Sequence, residues 1–100
     1  MKITKLDGRY KAKSRWGYQY SVTLPAHQWK KYFALKEKAH DMFGPSVDLS
    51  RRFLFKDDVH TLRTAPWAYK YTRSRDESFV YFRTEDAMNQ CVMMYALTIT

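Results

Sequence analysis

The sequence predicts an α+β domain in which an antiparallel sheet carries two helices on one face and gains a strand from an N-terminal β-hairpin. Three observations predict it. Apolar and polar residues alternate along residues 10–24, segments 25–43 and 84–94 have helical spacing, and short aromatic runs bounded by turn residues fill the interval. One hundred residues are a single domain's length of chain, enough to bury roughly two-thirds of its unfolded surface in one core. With 45% hydrophobic residues, 17% aromatics and only three Gly, the chain has the apolar bulk that disordered segments lack.

Residues 1–24 read as a basic β-hairpin continuing into a long strand. Asp7-Gly8 is a two-residue turn signal, because a type I′ turn needs positive φ at both central positions. After it Tyr10, Ala12, Ser14, Trp16, Tyr18, Tyr20, Val22 and Leu24 occupy even positions, and Arg9, Lys11, Lys13 and Arg15 begin the odd ones. Pairing across that turn sets Ile3 opposite Ala12 and Lys2 opposite Lys13. Residues 25–43 form an amphipathic helix. Pro25 suits its first turn, Trp29, Tyr32, Phe33, Leu35, Ala39, Met42 and Phe43 share one side, and Gly44-Pro45 ends it. Strands follow within 46–83: Arg51–Lys56, with Asp57-Asp58 as its turn, then extended chain over Thr61–Thr72, a charged turn at 73–76, and Phe79–Phe82. Thr84 caps a helix over 84–94, with Glu85 and Asp86 in its first turn and Ala87, Met88, Cys91 and Val92 inward. Tyr95, Leu97 and Ile99 alternate as a last strand over 95–100. The order is the βαββαβ pattern of a ferredoxin-like sandwich.

One stretch carries a family resemblance. Arg75-Asp76-Glu77-Ser78-Phe79-Val80-Tyr81-Phe82, then Thr84-Glu85-Asp86-Ala87, resembles the third strand and second helix of an RNA-recognition motif. That family has a basic residue, an aromatic strand of the form F-V-x-F and an acidic helix start. Asp76, Ser78 and Glu77 replace its two glycines and its first stacking aromatic. Tyr20–Pro25 keeps the aromatic and the Leu-Pro ending of the family's first strand, with Ser21 where an aliphatic belongs. The resemblance implies the sandwich more than it implies RNA binding.

The net charge is +8 and unevenly placed. Residues 1–31 carry eight Lys/Arg and one acid, residues 63–75 four bases and no acid, and residues 76–100 one base and four acids. Such asymmetry points to a polyanionic partner. On the expected ribbon, Lys2, Arg9, Lys11, Lys13 and Arg15 project from one face. Alternate residues of a strand lie about 6.5–7 Å apart, near the spacing of successive phosphates. Trp67, Tyr69, Lys70, Tyr71, Arg73 and Arg75 form a second basic and aromatic stretch suited to stacking on single strands. The expected nucleic-acid contacts are therefore Lys2, Arg9, Lys11, Lys13, Arg15, Lys70, Tyr71, Arg73 and Arg75. The bland reading of the first group is a solvated sheet face, and of the second a buried aromatic strand.

No catalytic residues, metal site or cofactor are expected, and the protein reads as a binder rather than an enzyme. Asp57, Asp58 and His60 fit a solvated turn, and there is no Gly-rich phosphate loop. Cys91, the only cysteine, sits on an apolar helix face as an inert thiol and excludes an internal disulfide. No stretch has the length of a signal peptide's apolar core or a membrane span, so a cytoplasmic location is expected, in the host cell or the virion if the source is viral. The function expected is a small nucleic-acid-binding accessory protein that contacts the phosphate backbone. The alternative is a protein-interaction module, such as an inhibitor, a subunit or a phage particle component, docking on a larger acidic partner through its aromatic and Arg side chains. An edge strand near residues 1–6 or 61–72 would allow a homodimer.

Overall fold

The strands found are shorter than the alternation implies, because much of that alternation is spent on turns and helices. A computed structural model of the chain describes residues 1–50, 53–70 and 77–99. Among them are four strands and four α-helices. In chain order they are β1 (Lys2–Lys5), α1 (Lys11–Ser14), β2 (Tyr20–Pro25), α2 (Trp29–Phe43), α3 (Lys56–Thr64), β3 (Trp67–Lys70), β4 (Glu77–Phe82) and α4 (Glu85–Ile99). The sheet is antiparallel throughout, in the order β1-β2-β4-β3.

The expected hairpin does not form. Ile3 pairs with Val22 and Lys2 with Thr23, not with Ala12 and Lys13. The chain leaves β1 at Leu6, whose N–H donates to Gln19 O at 2.8 Å. Asp7 then opens a turn, accepting the Arg9 N–H on Oδ1 at 2.9 Å, as Asp side chains commonly do. One helical turn, α1, follows. Ala12 and Trp16 are buried. Their spacing of four satisfies a helix as well as a strand, which is why the alternation misled. Gly17, at φ +82°, reverses the chain into β2 in a conformation that favours glycine.

β2 lies between β1 and β4 and buries both of its faces. Tyr20, Val22 and Leu24 meet the α2/α4 side, while Ser21 and Thr23 are buried on the other. One 3₁₀ turn, Ala26–Gln28, leads into α2. Helix α2 ends as expected at Gly44, whose φ is +87° and whose N–H donates to His40 O at 2.8 Å. Tyr32, Leu35 and Ala39 are its buried residues. Trp29 and Phe33, expected inside, are exposed.

Three further expectations are corrected. The strand over Arg51–Lys56 is absent from its described part. Residues 53–55 lack regular structure and Lys56 already begins α3. Asp57 and Asp58 are therefore a helix start rather than a turn. The Phe55 N–H donates to Asp58 Oδ2 at 3.1 Å, and both carboxylates sit where the helix dipole favours them. The extended segment 61–72 begins only at Trp67, since Thr61–Thr64 belong to α3; Tyr71 and Thr72 lie outside the described residues. Finally, 95–100 is not a strand up to Ile99. Helix α4 runs unbroken through Ile99, with Met88, Cys91 and Tyr95 on its buried side. No Gly or Pro interrupts it, and Met93, Met94, Ala96 and Leu97 favour helix.

The sheet is covered on both faces, not one. Helices α2 and α4 pack against Val22, Leu24, Val80, Phe82 and Trp67. On the opposite face Leu6, Ala12, Trp16, Tyr18, Val47, Leu62, Ala68 and Tyr81 form a second cluster under α1 and α3. The outer edge of β3 is lined by residues 47–49, through Leu49 N to Tyr69 O at 2.8 Å and Tyr69 N to Val47 O at 3.5 Å. β1 is the edge with no strand beside it among the described residues.

Candidate nucleic-acid interface

The second face of the sheet holds a cleft of about 580 Å³, within the roughly 300–1,000 Å³ range of ligand sites. Its walls come from α1, the segment before α3, and the end of β3. Helix α1 builds one wall by elementary spacing. Ala12 and Trp16 point inward, and Lys11 and Arg15, also four apart, stand at the cleft. Side chains four apart on a helix are neighbours at about 5–6 Å between Cβ atoms. Lys70 arrives from β3 on the same sheet face as Ala68, since alternate residues share a face. Leu49, Leu54 and Val59 supply apolar lining, and Tyr10, Trp16, Phe53 and Tyr81 supply rings.

Among the described residues four cations line this cleft, Arg9, Lys11, Arg15 and Lys70, and no carboxylate does. Arg9 is ion-paired. Its Nη2 reaches Asp7 Oδ2 at 2.8 Å and its Nε the same oxygen at 3.1 Å. The hydrogen bonds from Arg9 hold the Asp7 carboxyl below its ordinary value of 3.8. Lys11, Arg15 and Lys70 have no ion-pair partner among the described residues. Arg15 also lies over the Trp16 ring, 5.0 Å from its centroid, in cation–π range.

The rings differ in exposure. Trp16 and Tyr81 are each 8% exposed and form the floor. Burial, then neighbouring Tyr10, pushes the Tyr81 hydroxyl up to about 12, so it stays protonated at neutral pH. Phe79 stacks parallel to Tyr81, with centroids 5.9 Å apart and planes at 9°. Phe53 stands at the wall with 82% of its surface open.

The floor is clamped by Arg83, which sequence reasoning passed over. Its Nη1 donates to Trp16 O at 2.8 Å, Nη2 to Leu62 O at 2.8 Å and Nε to Ala65 O at 3.1 Å. The guanidinium lies 4.5 Å from the centroid of the Tyr18 ring, and the Tyr18 hydroxyl donates to Leu62 O at 2.9 Å. One planar fork thus ties Trp16, just beyond α1, to the C-terminal end of α3, using donors that only Arg presents in that geometry.

The sequence-predicted contacts divide into three groups. Arg9, Lys11, Arg15 and Lys70 converge on the cleft. Lys2 and Lys13 do not. Lys2 sits on edge strand β1 opposite Thr23, and Lys13 is half-buried on another side of α1. Tyr71, Arg73 and Arg75 lie outside the described residues. The flat cationic row with phosphate spacing is overturned, because residues 9–15 form a turn and a helix rather than a strand. Tyr10, Trp16, Phe53 and Tyr81 were missed as cleft residues. The signal for Phe53 was its basic and aromatic surroundings, Arg51-Arg52-Phe53-Leu54-Phe55-Lys56, which read as a strand.

Among the described residues no group of three His, Cys, Asp or Glu could hold a metal ion, and no helix is long and apolar enough to cross a membrane. Cys91 is buried, and burial pushes its thiol up to about 11, away from the thiolate a nucleophile needs. No family model, curated protein or solved structure matches the chain.

Proposed function

We propose that this protein binds nucleic acid through the cleft, with Lys11, Arg15 and Lys70 contacting phosphates and Arg9 joining them when it leaves Asp7. One observation carries the reading: four cations, three from residues 9–15 and one from the end of β3, line a single concavity with no acid among the described residues. A solvated surface has no need to gather like charges; the phosphates of a polyanion would neutralise them, and the counterions that the polyanion releases would favour binding. The rings among the cations supply faces for bases, the combination used by proteins that hold single strands.

We propose that the fold is a ferredoxin-like sandwich in which β1 takes the edge place of the closing strand. The likeness of residues 75–87 to an RNA-recognition motif contributes little to function. That family stacks bases on an open sheet face, and here α1 and α3 cover much of the corresponding face, leaving Tyr81 8% exposed.

Binding of a labelled mixed-sequence oligonucleotide, titrated against salt, tests the proposal. The log–log slope should be about −0.7 to −0.9 per phosphate neutralised, and K11A, R15A or K70A should each flatten it by about one such increment. Affinity indifferent to salt, or no binding at low salt, rejects the reading.

Docking on an acidic protein has a different observation behind it. Trp29, 51% exposed, meets Phe33 edge to face at 6.2 Å on the outside of α2, beside Lys30. If that surface is the functional one, W29A should abolish association with a nuclease-resistant stoichiometric partner and leave the cleft variants without effect.

A further inference from the structure

Building on that reading, we infer that the cleft takes an unpaired nucleotide, with its base stacked on Phe53 and its phosphate held by Lys11, Arg15 and Lys70. The ligand class is single-stranded nucleic acid rather than duplex.

Two observations carry this. The charge is recessed. Lys11, Arg15 and Lys70 surround a concavity whose floor is Trp16 and Tyr81, not a convex ridge. The rod of a duplex presents its phosphates on the outside and its base faces to one another, so it offers nothing to an aromatic wall. A single strand can turn a base out of its stack and deliver ring and phosphate together. The second observation is Phe53. It lines the cleft beside cations yet leaves 82% of its surface in water. It belongs to neither hydrophobic cluster, so folding alone gives no account of a Phe at that place. Every base has a π-face, so the ring would accept any sequence. The floor is firm while the wall is open: Arg83 fixes Trp16 through its carbonyl, whereas Phe53 precedes α3 in a segment without regular structure.

The experiment compares three probes by fluorescence anisotropy at low salt: a ten-nucleotide single strand, a blunt hairpin duplex of equal phosphate number, and adenosine monophosphate. The single strand is expected to bind at least about tenfold more tightly than the duplex. F53A should weaken it by roughly five- to a hundredfold, the range of one lost base stack, while F53Y retains affinity. The duplex should not respond to F53A. Adenosine monophosphate should compete weakly and lose that competition in F53A. Because Phe53 is exposed, F53A should melt with the wild type, and its thermal transition is measured alongside. Duplex binding equal to single-strand binding, or a silent F53A in a protein that K11A and R15A still disable, overturns the inference and leaves the phosphate-binding proposal standing. Failure of every probe to bind rejects both.

Discussion

Arg9 shows how one neighbouring side chain can decide what a cation is free to do. Its guanidinium is engaged by Asp7 in a forked ion pair within a single turn of chain, so a phosphate reaching Arg9 must displace a carboxylate already seated there. Lys11 and Arg15 face no such competitor among the described residues. D7N should therefore tighten oligonucleotide binding, by at most about fivefold for so exposed a pair, and steepen the salt slope by about 0.7–0.9. R9A in the wild-type background should cost less than K11A. A D7N protein that binds no better would mean that Arg9 does not take part. The same residue explains a misreading. Asp7-Gly8 is a hairpin signal only if the next residues extend as a strand, and here the Asp7 carboxylate binds the Arg9 N–H and starts a helical turn instead.

At the scale of elements, short segments with two compatible periods are what the sequence left ambiguous. Helix α2 was legible to its last residue because Gly44 and Pro45 terminate it and its length exceeds any strand. β4 was legible from its aromatic run and α4 from its Thr84 cap, where the Ala87 N–H donates to the Thr84 hydroxyl at 3.2 Å. The boundaries of α1, α3 and the end of α4 were not. Ala12 and Trp16 fit both a helix and a strand, and tertiary burial made the choice. The cleft inherits that ambiguity. Four of its cations were named from sequence, but their meeting place depends on α1 and α3 folding back over the sheet, which no local pattern encodes. Arg83 holds that packing. R83K keeps the charge but cannot reach three carbonyls in one plane, and it should lower stability by about 2–3 kcal/mol, as expected for charged hydrogen bonds lost beside partly buried carbonyls. Urea denaturation reads this directly. An unchanged midpoint in R83K would show that the clamp is dispensable.

The whole molecule should be vulnerable at alkaline pH. Burial raises the Cys91 thiol from its ordinary 9.0 to about 11 and the Tyr81 hydroxyl from 10.0 to about 12. Both groups hold their protons more tightly when folded. Their contribution is complete below the unfolded values and is lost as pH climbs through the folded ones. Melting temperature should fall between about pH 9 and 12, with C91A removing the earlier part of the decline and Y81F the later part. Parallel curves for wild type and both variants would contradict this.

The sheet's interior has one more consequence, for the order in which the chain can assemble. Its two central strands pair Tyr20 with Phe82 and Pro25 with Glu77, so the middle of the sheet waits for the last quarter of the sequence. During synthesis, at roughly 5–20 residues per second, α2 would emerge seconds before β4 does, with Tyr32 and Leu35 lacking their eventual cover. The nascent chain thus exposes apolar surface over that interval, and truncation before β4 should yield an insoluble fragment rather than a smaller domain.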